Sequence, residues 1–173
     1  MATAEGEIVN KIKKSDKLVT IDLQQFYDDT PVETLDIKAF LYEGLILKED
    51  HFRDQLEQHD WLQYQNTYLT IYCSTDAIIT RWAYMLIARY ARPHVREIFE
   101  GGEEDILFEL YRRKLDAVDW EQYTDKFVLL KGCSDKPVPE SVYLHATKKL
   151  LPHVAKLMYG EACSNVPVYR RPR

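Results

Sequence analysis

Leu18-Val19-Thr20-Ile21-Asp22-Leu23 is short and rich in β-branched residues, the pattern of a strand, and a turn-forming stretch, Asp28-Asp29-Thr30-Pro31, follows it. Leu35 to Leu47 is apolar but interrupted by Gly44, and helix and strand compete there. From Lys48 to Gln58 and into His59, Phe52, Gln55-Leu56 and His59 fall at helical spacing, as do Ile106, Leu110 and Leu115 further on, so an amphipathic helix is expected in each place. Each helix leads through an Asp-Trp-x-Gln-Tyr turn into a strand that is apolar on both faces, the pattern of a parallel sheet covered on each side. The first strand, Tyr68-Leu69-Thr70-Ile71-Tyr72, runs into Cys73-Ser74; the second, Phe127-Val128-Leu129-Leu130-Lys131-Gly132, runs into Cys133-Ser134. A further helix is expected after each thiol, one reaching about Ala91 and one opening at Pro139-Glu140, where proline needs no amide bond and the carboxylate favours the positive helix end. Pro93 and Pro152 break or restart these helices, and Gly101 and Gly160 end them. Val166-Pro167-Val168-Tyr169 in the tail suits a sheet edge.

The pattern is repeated. Trp61 and Trp120 stand at the same offset as His94 and His153, and within that register Gln63-Tyr64 matches Gln122-Tyr123, Tyr84 matches Tyr143 and Pro93-His94-Val95 matches Pro152-His153-Val154. The register slips by one residue only at the thiols, where Gly132 precedes Cys133. Two helix-strand-helix units are therefore expected, roughly residues 48–101 and 107–160, within an α/β fold: a single domain, 1–173, with a mostly parallel central sheet flanked by helices.

A chain of 173 residues can bury a sufficient core without a metal or disulfide staple. Hydrophobic content of 46% with 29% charged residues is ordinary for a globular protein, and a net charge of −5 argues against a nucleic-acid surface. The Arg170-Arg171-Pro172-Arg173 tail is a local exception, read as a solvated end. The N-terminus has no apolar signal region and no segment approaches ~18 consecutive apolar residues, so a cytoplasmic protein away from the membrane is expected. Three cysteines, an odd number, suit a reducing compartment better than a disulfide framework.

Those cysteines carry the candidate chemistry, because Cys73, Cys133 and Cys163 are each followed by serine. A thiol between a strand end and a helix start lies near orphan amides and the positive end of the helix dipole, which favours thiolate, and the carboxyl ends of strands are where α/β folds build sites. Asp76 and Asp135, close after two of the thiols, fit either as helix caps or as auxiliary ligands to a cation. If the two repeated strands are adjacent and parallel, the equivalent thiols come within ~5 Å; one intervening strand makes that ~10 Å; reversed copies leave no joint site. Three thiolates with a carboxylate or exogenous ligand would hold zinc or an iron-sulfur species, although the spacing is nothing like the Cys-x-x-Cys pairs of zinc ribbons. Against this stands the ordinary reading of buried cysteines as small apolar core residues. His94 and His153 read as packing or capping residues, and Trp61 and Trp120 as anchors of the turn into the strand. A Gly-rich phosphate loop, a nucleophile elbow and a His-Glu-x-x-His helix are all absent.

Several longer strings, Tyr42-Glu43-Gly44-Leu45-Ile46-Leu47-Lys48-Glu49, Lys131-Gly132-Cys133-Ser134-Asp135-Lys136-Pro137-Val138-Pro139-Glu140-Ser141 and Tyr159-Gly160-Glu161-Ala162-Cys163-Ser164 among them, are specific. Through them the chain resembles, over nearly its whole length, a bacterial family known as domain of unknown function 2480. The resemblance implies no activity, but members of that family tend to be encoded beside iron-sulfur cluster assembly genes, which implies partners among iron-sulfur assembly proteins. The expected function is thus a three-cysteine metal or iron-sulfur-related site (Cys73, Cys133 and Cys163 with Asp76 or Asp135) in an accessory factor of cluster assembly. A thiol enzyme or sulfur carrier using Cys133, and a non-catalytic interaction module with structural cysteines, are the alternatives.

Overall fold

A computed structural model describes residues 17–132 and 135–172. They group into two compact units, a contiguous one of residues 28–110 and a split one that takes the described residues up to Tyr27 and from Tyr111 onward. Among the described residues seven strands form two sheets in place of the single central sheet expected.

In the contiguous unit β2 (Val32–Asp36), β3 (Tyr68–Tyr72) and β4 (Glu97–Glu100) form a parallel sheet in the order β2-β3-β4. The split unit holds β1 (Leu18–Asp22), β5 (Phe127–Lys131), β6 (Lys156–Glu161) and β7 (Ser164–Arg170), in the order β1-β5-β6-β7, with β7 antiparallel at the edge. β5 pairs in parallel with β1 on one side (Ile21 opposite Leu130) and β6 on the other (Leu130 opposite Tyr159). The sheets separate because the crossovers from β3 to β4 and from β5 to β6 are short and local, so each strand returns beside its own predecessor.

Among the described residues the helices that accompany these strands are α1 (Glu49–Gln58), α2 (Arg81–Ala91), α3 (Glu103–Asp116) and α4 (Glu140–Leu150). α1 buries Phe52 and Leu56, and α2 buries Ala83, Ile87 and Ala91, in a core with Leu69 and Ile71 of β3. In the split unit α4 buries Val142, Ala146 and Leu150, and β5 contributes Val128, Leu129 and Leu130 to the buried set. The ambiguous stretch from Leu35 resolves into the end of β2 and a 3₁₀ turn, Ile37–Phe40.

Both Asp-Trp-x-Gln-Tyr segments are 3₁₀ turns, Trp61–Tyr64 and Trp120–Tyr123, capped by Asp60 and Asp119, whose carboxylates accept the amides of Leu62 (3.0 Å) and Glu121 (3.1 Å). The indole of Trp61 donates to Leu56 O and that of Trp120 to Leu115 O, each at 2.9 Å, satisfying carbonyls in the last turns of α1 and α3. The segments after Pro93 and Pro152 are strands β4 and β6, where helix was expected to continue or restart. Proline stops α2 and α4, and the apolar runs Ile98-Phe99 and Leu157-Met158-Tyr159 then pair along β3 and β5 instead of completing a helical face. His94 and His153 serve these turns through their carbonyls, which accept the amides of Asn66 (3.1 Å) and Asp125 (3.0 Å).

Asp116 at the end of α3 receives His145 Nε2 and Lys149 Nζ of α4, both at 2.9 Å, and Arg112 Nη1 at 2.6 Å. Hydrogen bonds from Lys149 and His145 hold its carboxyl down at about 2, against an ordinary 3.8. A carboxyl whose pKa is lower folded than unfolded contributes stability that is fully present above the unfolded value and is lost as pH falls through the folded one. Asp116→Asn should therefore be less stable than wild type at pH 5, with the gap closing between pH ~4 and ~2. Urea midpoints across that range check it; a gap that does not change with pH contradicts it.

Candidate functional site

The three Cys-Ser pairs follow three different strands. Cys73 follows β3 in the three-stranded sheet, whereas Gly132, the residue before Cys133, follows β5 in the four-stranded one. Among the described residues β3 pairs with β2 and β4 and not with β5, so the adjacent-strand arrangement of the two repeated strands is not found. Cys133 and Ser134 lie outside the described residues.

In the contiguous unit the carboxyl edge is organised by Asp36, the last residue of β2. Its carboxylate accepts the amide of Lys38 (3.0 Å), the amide of Ser74 (3.1 Å) and the Ser74 hydroxyl. Burial works to raise this carboxyl, but the Ser74 and Lys38 hydrogen bonds outweigh it and keep it below the usual range. The serine of the first pair therefore pins a loop to β2. Cys73 is half-buried, packs against the core, and has its sulfur 3.5 Å from Thr75 O and 3.4 Å from Thr75 Oγ1. It is a satisfied thiol of the kind found in cores. The loop continues to Thr80, and only then does α2 begin, so Cys73 does not stand at a helix N-terminus as expected. Asp76 in that loop is exposed and lines an open apolar hollow of about 580 Å³ with Leu45, Ile46, Ile78 and Trp82.

In the split unit three charged residues meet at the carboxyl ends of β1, β5 and β6. Lys131 Nζ lies 3.0 Å from Glu161 Oε1 and 3.6 Å from Asp22 Oδ2, and the hydrogen bond to Glu161 raises the lysine above its ordinary pKa. With Gln24, Gly132 and Gly160 they line a polar hollow of about 250 Å³. Asp22 also caps the following 3₁₀ turn, Leu23–Phe26, through the amide of Gln24 at 3.1 Å. The side-chain Oε1 of Gln24 in turn accepts the amides of Asp135 (3.2 Å) and Lys136 (3.4 Å). Tyr111 Oη donates to Pro137 O at 3.1 Å, and burial pushes this hydroxyl up to about 12. Both ends of the segment that resumes after Ser134 are thereby tied down. Asp135 is exposed, and neither it nor Asp76 caps a helix: the N-cap residues of α2 and α4 are Thr80 and Pro139, and neither helix has a side-chain cap. Pro139-Glu140 does open α4, as its chemistry suggests.

Cys163 is exposed in the two-residue turn Ala162-Cys163 that joins β6 to β7. β5 and β6 are parallel neighbours, so their carboxyl ends, Lys131 and Glu161, lie at the same edge of the sheet. Cys163 therefore shares its sheet edge with Asp22, Lys131 and Glu161. Among the described residues, no three His, Cys, Asp or Glu side chains stand together as a metal-binding group.

Asp22, Gln24, Asp36, Lys131 and Glu161 were not among the residues expected from the sequence. A signal for part of the set was present: Asp22-Leu23-Gln24-Gln25-Phe26 and Asp36-Ile37-Lys38-Ala39-Phe40 share the pattern Asp-aliphatic-x-x-Phe, and both aspartates cap a 3₁₀ turn.

Among the described residues no helix is long and apolar enough to cross a membrane. No curated protein and no solved structure matches the chain. One family model does, over residues 6–171, and its description is protein of unknown function (DUF2480). Since the match covers nearly the whole sequence, the chain belongs to that family.

Proposed function

We propose that this protein is a cytoplasmic accessory factor that holds a thiophilic cargo (iron, zinc or an iron-sulfur species) at the carboxyl edge of the four-stranded sheet, with Cys133 and Cys163 as its thiolate donors. The observation that carries this reading is the parallel pairing of β5 with β6, which sets their last residues, Lys131 and Glu161, at one sheet edge, each two positions before a cysteine in the sequence. The carboxylates of Asp22, Glu161 and Asp135 belong to the same unit and are chemically fit to complete a donor set, and the Lys131 ammonium favours thiolate in a thiol beside it. The described residues alone do not form such a set, so the reading stands or falls with Cys133. Cys73 and Asp76 have no part in it. Its partners would be iron-sulfur assembly proteins.

Anaerobic purification followed by iron and zinc analysis tests this. Stoichiometric metal is expected in wild type and in Cys73→Ser, with loss in Cys133→Ser and in Cys163→Ser. Trace metal that none of the three substitutions changes would sink the proposal.

We also infer that the two units descend from one module. Each runs strand, 3₁₀ turn, helix, 3₁₀ turn, strand, helix, strand, and the Asp caps, the Trp indole bonds and the left-handed residues Asn66 (φ 65°) and Asp125 (φ 61°) recur at corresponding places. On this view the repeat begins earlier than residues 48 and 107, with the strand and 3₁₀ turn of each Asp-aliphatic-x-x-Phe segment.

A further inference from the structure

We propose that the exposed face of α4 is the interface of a twofold-symmetric dimer of this chain, in which Leu144 of each copy packs against its counterpart and Glu140 of each copy pairs with Lys148 of the other. α4 turns Val142, Ala146 and Leu150 inward, so its outer face should be polar. Instead that face carries Leu144, 69% exposed, and Leu151 follows at its end, 36% exposed. Beside Leu144 lies an apolar hollow of about 530 Å³, walled by Tyr143 and Thr147 of α4 and by Met158, Tyr159 and Val168 of β6 and β7. Tyr159 and Val168 are themselves 44% and 55% exposed. A leucine knob at the rim of an apolar hollow is half of a helix-packing contact without its other half.

The charges on α4 select a second copy as the occupant. Glu140, Leu144 and Lys148 are all exposed and lie four residues apart, forming one ridge along the helix. Glu140 stands ~6 Å toward the N-terminal side of Leu144 along the axis and Lys148 ~6 Å toward the C-terminal side. Two antiparallel copies of this ridge centred on Leu144 put a carboxylate opposite an ammonium twice, once at each end. Among the described residues neither Glu140 nor Lys148 has an ion-pair partner within its own chain. A heterologous helix would have to carry the same ridge reversed, whereas a second copy carries it by symmetry. Strand pairing through the edge strand β7 is disfavoured, since Pro167 there removes a backbone donor.

Sedimentation velocity on the full chain over a concentration series tests the interface, with circular dichroism checking that each variant is folded. Wild type is expected to dimerise. Glu140→Lys alone and Lys148→Glu alone should each weaken the dimer at least about tenfold, because each sets like charges opposite one another, and the double variant should recover to within about threefold of wild type. Leu144→Asp should abolish association. Folded wild type that stays monomeric throughout overturns the proposal, as does a double variant no better than the single ones.

Discussion

Trp120→Ala should lower the free energy of unfolding by about 3–5 kcal/mol, the range for deleting a large buried aromatic side chain. Trp120 is only 7% exposed, and its indole N–H donates to Leu115 O in the last turn of α3, a carbonyl that also accepts the Val118 amide at 3.2 Å. The side chain thus fills the core and closes the end of α3 before the chain enters β5. Trp120→Phe separates the two contributions: most of the apolar area stays, the indole donor goes, and about 0.5–1.5 kcal/mol is expected, because Leu115 O keeps the Val118 amide as its donor. Urea unfolding monitored by far-ultraviolet circular dichroism reads both. An alanine variant within ~1 kcal/mol of wild type would mean that the indole is not the anchor of this junction.

Gly132→Ala should cost about 1–3 kcal/mol, as overpacking a filled site does. A Cβ at this position would come within 3.0 Å of Leu23 Cβ, 3.0 Å of Tyr143 Oη and 3.3 Å of Val138 Cγ2, so three elements crowd the backbone where it leaves β5. Gly102→Ala serves as the control, since its new Cβ would meet only Asp105 Oδ2 at 3.8 Å. Melting temperature should fall for Gly132→Ala, by about 2–4 °C per kcal/mol in a chain of this size, and stay level for Gly102→Ala. Equal melting temperatures for the two variants would show that the crowding at Gly132 relaxes freely. The position also bears on the proposed cargo site, because Gly132 sets the path of the chain into Cys133.

Much of the local structure was legible from residues. The Asp-Trp-x-Gln-Tyr turns, β1, β3 and β5, α1 and the start of α4 follow from caps, spacing and the chemistry of proline, all of which act within a few residues. The strands after Pro93 and Pro152 were not legible. Val95 to Glu100 and Val154 to Gly160 are short apolar runs whose periodicity suits a buried helix or a strand equally, and only the neighbouring strands that accept their hydrogen bonds decide between them. At the site, the sequence pointed to the thiols and missed Asp22, Gln24, Lys131 and Glu161, which gain meaning only where β1, β5 and β6 end side by side.

By itself the sequence determined an α/β chain with its turns, caps and three Cys-Ser pairs, because those are local matters of side-chain chemistry. Tertiary structure alone decided that the described strands form two sheets, that β1 pairs with β5 across more than a hundred residues, and that Cys163 shares an edge with the carboxyl end of β5 while Cys73 follows a strand of the other sheet. Strand pairing joins residues remote in sequence, and the hydrogen bonds that select a partner are made by backbone groups common to every residue, so no side-chain pattern announces them.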